Sequence, residues 1–132
     1  MTLQEIHQRF FGFRNGIVAK AFHDTGHGHN RVFGLQLPQI AAIAREIGYD
    51  NDMGRQLWEE KDCRESRLLS CYLFDPSSLS LNDALNMAED VQTREEADIL
   101  AWRLLRLLPF AKTLPDQLTG YIREALLRNL ES

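Results

Sequence analysis

A cluster of histidines in the segment HDTGHGH, residues 23 to 29, is the first group of side chains that could do chemistry. Imidazoles close in sequence can converge on zinc or a similar ion. His23, His27 and His29 are interleaved with glycines, however, and Asp24 is the acidic side chain beside them. Because a glycine-rich loop holds ligands poorly, we favour a solvated loop and expect no metal site. Phosphate binding by this loop is the alternative.

Arginines form the second group, and they far outnumber the lysines, which occur only at positions 20, 61 and 112. The planar guanidinium group suits phosphate and carboxylate oxygens alike. Arg64, Arg67 and Arg94 could collect on one inner face and form a local positive groove. Alternatively, they pair with neighbouring glutamates on helix surfaces and contribute little.

The third candidate is one acid, Asp98, which lies at the border of an apolar helical stripe containing Ala97 and Ala101. Buried carboxylates usually have a partner. We therefore interpret Asp98 as a structural carboxylate that pairs with an arginine of a neighbouring helix, Arg64 or Arg67. A binding or catalytic role for Asp98 is the alternative.

The elements that must position these residues are predicted to be helices throughout. No sustained two-residue alternation indicates a strand, whereas apolar residues recur at helical spacing along the chain. Helices are predicted over residues 2–11, 14–22, 38–47, 52–58, 62–73, 80–88, 93–108 and 115–130. Tryptophan at helical spacing usually packs, so Trp58 and Trp102 are expected in the core.

Several of these helices carry recognisable start and stop signals. Thr2 with Glu5, and Thr93 with Glu96, have the spacing of a capping box. In RVFGLQLPQIAAIAREI, Pro38 is expected to open a helix and the following Gly48 to stop it. Gly34 is expected to let the chain turn into that start.

The order of the predicted helices indicates an all-α fold in one domain, residues 1–132. Two helix pairs of about 30 residues each, with flanking helices, suggest an α-solenoid, because each pair buries one face against the next. An irregular helical bundle fits the periodicity equally well.

Charge and composition limit the partners. The net charge of −4 gives no general attraction to nucleic acid, although residues 1–47 carry about +2. No apolar stretch approaches the roughly 18 residues of a membrane span, and the N-terminal segment is polar, so a cytoplasmic protein is expected. Cys63 and Cys71 are expected to be reduced.

The segments FGLQLPQIAAIAREI, RQLWEEKDCRESRLLS and AEDVQTREEADILAWRLL together resemble the DNA alkylation repair family, the AlkD-type alkylpurine DNA glycosylases built from HEAT-like repeats. The similarity spans about residues 30 to 108. It favours the solenoid over the bundle. Family members that excise bases use a carboxylate and aromatic rings to stabilise positive charge on the sugar and the damaged base, with arginines on the phosphates.

The resemblance implies that Asp98 corresponds to the family's catalytic aspartate. Arg94 stands where excising members have a tryptophan, four residues before the aspartate, and the family's later repeats have no counterpart here. The resemblance therefore implies binding of duplex DNA, alkylated DNA included, and does not carry excision over to this chain. Whether the protein is an enzyme stays open.

Two functions of different classes follow. In the first, a concave helical face binds duplex DNA, with phosphate contacts from the loop at 23–31 and from five arginines: Arg31, Arg45, Arg64, Arg67 and Arg94. In the second, the chain is a non-enzymatic scaffold that binds a protein or a second copy, through a C-terminal helix carrying Leu126, Leu127 and Leu130. No cofactor and no membrane contact are expected in either case.

Overall fold

Helices account for the regular secondary structure of the protein. The computed structural model describes residues 1–24 and 31–131, with the side chains of 1–21 and 31–131. Over these ranges it contains eight α-helices and no β-strand, which confirms the all-α prediction. The helices are α1 (Leu3–Gly12), α2 (Gly16–Asp24), α3 (Leu37–Ile47), α4 (Asn51–Trp58), α5 (Arg64–Leu73), α6 (Leu81–Glu89), α7 (Arg94–Arg103) and α8 (Gly120–Leu130). Two short 3-10 helices, Leu105–Leu107 and Leu114–Gln117, lie between α7 and α8.

The chain divides into two compact units, Met1–Leu73 and Phe74–Ser132. The first unit contains α1 to α5, and the second contains α6 to α8. In the part of the chain that the structure describes, no helix combines the length and the apolar character that a membrane crossing requires. The assignment of residues 1–132 to one domain stays a prediction.

In the first unit, α4 and α5 form an antiparallel pair. The N–H of Asp50, just before α4, donates to the carbonyl of Leu73 at the end of α5, at 2.8 Å. Halfway along, the Ser70 hydroxyl donates to the carbonyl of Gly54 at 2.6 Å. The beginning of α4 therefore lies beside the end of α5.

Helices α3 and α5 run in the same direction. At their beginnings, Nη1 of Arg64 donates to the carbonyl of Leu35 at 2.8 Å. At their ends, the hydrogen bond from Asp50 to Leu73 joins the residues that follow α3 to the last residue of α5. Three successive helices of this unit thus alternate in direction, α4 opposing both α3 and α5.

The segment that leads into α3 is held by one buried carboxylate. Glu65 is fully buried and accepts hydrogen bonds from three consecutive N–H groups, those of Phe33, Gly34 and Leu35, at 2.9, 3.1 and 3.3 Å. Gly34 has φ +84°, and a Cβ there would lie 2.3 Å from the carbonyl oxygen of Asn15. Only glycine fits this turn, which confirms the role predicted for Gly34.

Most of the predicted helix signals are confirmed. Thr2 and Glu5 form a reciprocal capping box at α1. Pro38 lies in the first turn of α3, and Gly48 ends that helix with φ +76°. The Thr93 side chain accepts from the N–H of Glu96 at 3.1 Å, but Glu96 in turn accepts from Gln92 rather than from Thr93, so this cap differs from the predicted box.

The last two predicted helices are wrong in their boundaries. The helix beginning after Thr93 ends at Arg103 rather than near residue 108, because Leu104 leaves helical geometry at φ −131° and ψ −61°. The chain continues in 3-10 turns that still bury Leu104 and Leu108. Pro115 likewise opens a 3-10 helix, and α8 begins at Gly120. Apolar spacing therefore predicted burial correctly but not the helix type.

The core contains both cysteines and one of the two tryptophans. Cys63 and Cys71 are buried free thiols. Trp58 is 5% exposed, which confirms its predicted core position, whereas Trp102 is 41% exposed, so the same prediction for Trp102 is wrong. Trp102 is thus a large aromatic ring at the surface of α7, with the Arg103 guanidinium 5.1 Å from its centroid.

Candidate functional site

Helix α7 presents Asp98 and Trp102 at one surface. The two residues are four apart, one helical turn, so their side chains lie on the same face. The Asp98 side chain is 49% exposed and Trp102 is 41% exposed. The opposite side of α7 buries Ala97, Leu100 and Ala101, which fixes the orientation of the exposed face.

Helix α8 supplies the other half of the site. Tyr121 and Arg128 are seven residues apart and therefore share a face two turns long. The Tyr121 hydroxyl donates to Oδ1 of Asp98 at 2.9 Å. Nη2 of Arg128 donates to the Tyr121 oxygen at 3.0 Å and to Oδ1 of Asp98 at 3.3 Å. One carboxylate oxygen thus accepts from two donors of the facing helix.

These residues line an open cleft of about 380 Å³. The lining consists of Asp98, Ile99, Trp102, Tyr121, Arg128 and Asn129. Two aromatic rings and a carboxylate, which carry negative potential that attracts cations, line this space together with the Arg128 guanidinium, which offsets part of that potential. We call this space the α7–α8 cleft.

Tyr121 also lines a second groove. It has about 450 Å³ and is lined by the end of α6, the connection from α6 to α7 and the beginnings of α7 and α8, with Arg94, Ala97 and Tyr121 among the lining residues. The Arg94 guanidinium lies 4.9 Å from the centroid of the Tyr121 ring, and that of Arg128 lies 5.3 Å from it. Tyr121 is therefore shared by both cavities and by two cations.

Arg128 is held firmly in its charged form. The hydrogen bond and the charge interaction with Tyr121 raise the pKa of Arg128 above its ordinary value, and the negative charge of Asp98 adds a smaller contribution. The cleft therefore contains a permanent positive charge that belongs to the protein itself. That charge lies against the acid that the sequence singled out.

The predicted partner of Asp98 is wrong. The sequence indicated Arg64 or Arg67, whereas the arginine that pairs with Asp98 is Arg128. The pair is largely exposed, with 59% of the arginine side chain and 49% of the aspartate side chain accessible. Asp98 is thus neither locked in a buried ion pair nor left without hydrogen-bond donors.

Two of the five arginines predicted to bind DNA are buried within the first unit. Arg64 is 3% exposed and pairs with Glu65 at 2.6 Å. Arg67 is fully buried, donates to the carbonyl of Trp58 at 2.8 Å and lies 3.6 Å from the Trp58 ring. Their donors face the interior, so the predicted phosphate contacts at Arg64 and Arg67 are corrected to structural contacts.

The other three predicted arginines, Arg31, Arg45 and Arg94, are exposed. The Arg31 guanidinium lies 5.9 Å from the Phe33 ring, and Arg45 is in the last turn of α3. The side chains of His23, His27 and His29 lie outside the described residues, as does most of the 23–31 loop.

Sequence reasoning missed Tyr121 and Arg128. Their spacing of seven on a predicted helix was the available signal, because it places both on one face. An apolar stripe through Ile122, Ala125 and Leu126 drew attention to the buried side of this helix instead.

Comparison of the chain with protein-family models, with curated proteins and with solved structures finds no match.

Proposed function

We propose that this protein binds duplex DNA and that the α7–α8 cleft recognises a positively charged, alkylated base. The observation that carries the proposal is the joint placement of Asp98, Trp102 and Tyr121 around one open cleft. Trp102 is 41% exposed and the Asp98 side chain is 49% exposed, so both are accessible to a ligand.

The chemistry of alkylated purines fits this cleft. Alkylation at a ring nitrogen gives the base a fixed positive charge spread over a planar ring. Such a ring can stack on Trp102 as any base does, and its charge adds attraction to the aromatic faces and to Asp98. An unmodified base stacks but lacks the charge term, so the cleft should distinguish the two.

Phosphate contacts are proposed for the exposed arginines. Arg94 borders the groove beside Tyr121, and Arg31 and Arg45 are exposed in the first unit. The total charge of −4 opposes association with DNA, so binding has to rely on these local cations and should weaken steeply with salt.

The alternation of helix directions supports a HEAT-like arrangement, which we propose together with a relationship to the DNA alkylation repair family. In a stack of antiparallel pairs every second helix runs the same way. In the first unit α3 and α5 do so, with α4 opposed. In the second unit, Arg94 and Tyr121 meet near the beginnings of α7 and α8, and Trp102 and Asn129 line one cleft near their ends.

Binding without excision is the form of the proposal that the site supports. A carboxylate stabilises a developing sugar cation best when its charge is uncompensated. In this chain Oδ1 of Asp98 already accepts from Tyr121 and Arg128. Release of a free base by the protein would show that this part of the proposal is wrong.

The experiment measures fluorescence anisotropy of the full chain with two labelled duplexes that differ in one base, guanine or N7-methylguanine. We expect tighter binding of the alkylated duplex and a linear fall of log affinity with log salt. Trp102→Ala should weaken binding of the alkylated duplex about tenfold, in line with the stacking of one base. Tyr49→Ala, which removes a 65% exposed aromatic ring of the first unit, is the matched control and should keep the affinity for the alkylated duplex.

Absence of binding, or binding independent of salt, would contradict DNA recognition. A scaffold that binds a protein or a second copy is the second candidate, and exposed Trp102 and Leu107 in the second unit favour it. Leu126 is fully buried, however, so a contact through α8 would rest on the partly exposed Leu127 and Leu130. Sedimentation of the full chain over a range of concentrations tests self-association directly.

A further inference from the structure

We infer that Arg128 is an internal competitor for the cleft, occupying the place of the ligand's positive charge until a cationic ligand displaces it. This inference rests on the proposed function, because it assumes that the α7–α8 cleft takes a cation. It concerns a different property, namely which residue sets the affinity and the charge selectivity of that cleft.

The contacts of Arg128 are those that a cationic ligand would make. Its guanidinium is planar and positively charged, lies 5.3 Å from the Tyr121 ring centroid and donates to Oδ1 of Asp98 at 3.3 Å. A cationic base in the cleft would use the same ring and the same carboxylate. Arg128 already offsets the negative charge of Asp98, so a cationic base and Arg128 compete for the attraction of one carboxylate.

The position of Arg128 allows its side chain to move out of the cleft. It is in the last turn of α8, and 59% of its side chain is exposed. An exposed ion pair contributes little to stability because water solvates both partners when they separate. The guanidinium can therefore turn toward solvent while α8 stays in place, since the buried side of this helix is formed by Ile122, Ala125 and Leu126.

This arrangement gives selectivity for charge. A neutral planar ring brings no charge into the cleft. If it enters while Arg128 stays paired with Asp98, it gains no attraction from the carboxylate, and if it displaces Arg128, the carboxylate loses its compensating cation. A cationic ring replaces the charge that it displaces, so Asp98 stays compensated throughout. The cleft is thus expected to favour cationic over neutral bases through Asp98 and Arg128 together, with Trp102 supplying the stacking surface.

The test uses the two tryptophans of the full chain as reporters. The indole N–H signals of Trp102 and Trp58 are followed by NMR during titration with 7-methylguanosine, a cationic nucleoside, and with guanosine as its neutral counterpart. Trp58 is 5% exposed and packed against Arg67, so its signal is the internal reference. The variants are Arg128→Gln, Arg128→Lys and, as a control that removes the same charge elsewhere in the second unit, Lys112→Gln.

We expect Arg128→Gln to bind 7-methylguanosine about two- to fivefold more tightly than the natural chain, the range implied by loss of one exposed ion pair. Lys112→Gln should match the natural chain, and Arg128→Lys should lie between the two. Equal or weaker binding by Arg128→Gln, with the natural chain still binding, would overturn the competitor role and leave the proposed cation recognition standing.

If 7-methylguanosine shifts the Trp102 signal neither in the natural chain nor in Arg128→Gln, both the competitor role and the cation recognition are overturned. A shift that appears only in Arg128→Gln would support both, since the competitor would then be strong enough to hide the site. If Arg128→Gln fails to fold, which an unchanged circular-dichroism spectrum and thermal unfolding curve would exclude, Arg128→Lys decides the question in the same assay.

Discussion

Arginines in the two units of the molecule have opposite surroundings. In the first unit, Arg64 and Arg67 are buried and their donors bind a carboxylate and main-chain carbonyls. In the second unit, Arg94 and Arg128 are exposed around a single ring, that of Tyr121. A buried guanidinium needs fixed partners, whereas an exposed one can exchange its partners for those of a ligand.

The two principal acids differ in the same way. Glu65 is fully buried and accepts from three main-chain N–H groups and Arg64. Asp98 is about half exposed, and the hydrogen bonds that it accepts from Tyr121 and Arg128 both come from side chains. The Arg64–Glu65 pair is therefore a buried contact that stabilises the fold of the first unit, whereas the Arg128–Asp98 pair in the second unit is accessible to solvent.

The largest expected effect comes from removing each acid in turn. Glu65→Ala should lower the free energy of unfolding by about 3–5 kcal/mol, because it leaves a buried arginine and three N–H groups without their partner. Asp98→Ala should cost about 1 kcal/mol or less, because its ion pair is exposed to water. Urea unfolding of both variants measures the difference. Equal losses would show that the two acids have the same role.

Replacing each tryptophan separates stability from binding. Trp58→Ala should lower the free energy of unfolding by about 3–5 kcal/mol, since it empties a buried site. Trp102→Ala should cost only about 1 kcal/mol yet weaken the proposed binding of alkylated DNA about tenfold. Urea unfolding and anisotropy on the same two preparations give both values. A large stability loss in Trp102→Ala would assign that residue to the core after all.

Two glycines with positive φ, one in each unit, differ in the space around them, so substitutions at these positions compare how closely the backbone is packed. Gly120 has φ +70° with open space around it, so Gly120→Ala should cost about 1–2 kcal/mol through backbone strain alone. Gly34→Ala adds a clash with the carbonyl oxygen of Asn15 and should cost about 2–4 kcal/mol. Thermal unfolding followed by circular dichroism ranks the two variants. The reverse order would mean that the turn at Gly34 can relax.

The smallest expected effect is a dependence on alkaline pH. Burial raises the pKa of the Cys63 thiol above its ordinary value of 9.0. The unfolded chain then loses this proton at a lower pH than the folded chain, so stability is full below about pH 9 and falls as pH rises further. Urea unfolding at several pH values should show this fall in the natural chain and a shallower one in Cys63→Ala. Parallel curves would contradict it.

Features that depend on neighbouring residues could be predicted from the sequence. Capping of α1 by Thr2 and Glu5 is confirmed, as are the opening of α3 at Pro38 and its end at Gly48. These signals act within one helical turn, so no knowledge of the tertiary structure is needed. The all-α class followed from the same local periodicity.

Features that depend on distant partners could not be predicted. Nothing in RESR marks Glu65 as the residue that binds amides about 30 positions earlier, or marks its flanking arginines as buried. The early end of α7 had no local signal either, since Leu104 and Leu108 keep helical apolar spacing while the backbone changes to 3-10 turns. Asp98 was found, but its real neighbours on α8 were not.

The turn that Glu65 holds has one more consequence. Three successive amides converging on a pair of carboxylate oxygens form an anion nest, the same backbone shape that holds phosphate groups in other proteins. In this chain the nest is filled from inside, by a side chain that its own fold provides. The backbone at residues 33 to 35 is thereby closed to any external anion.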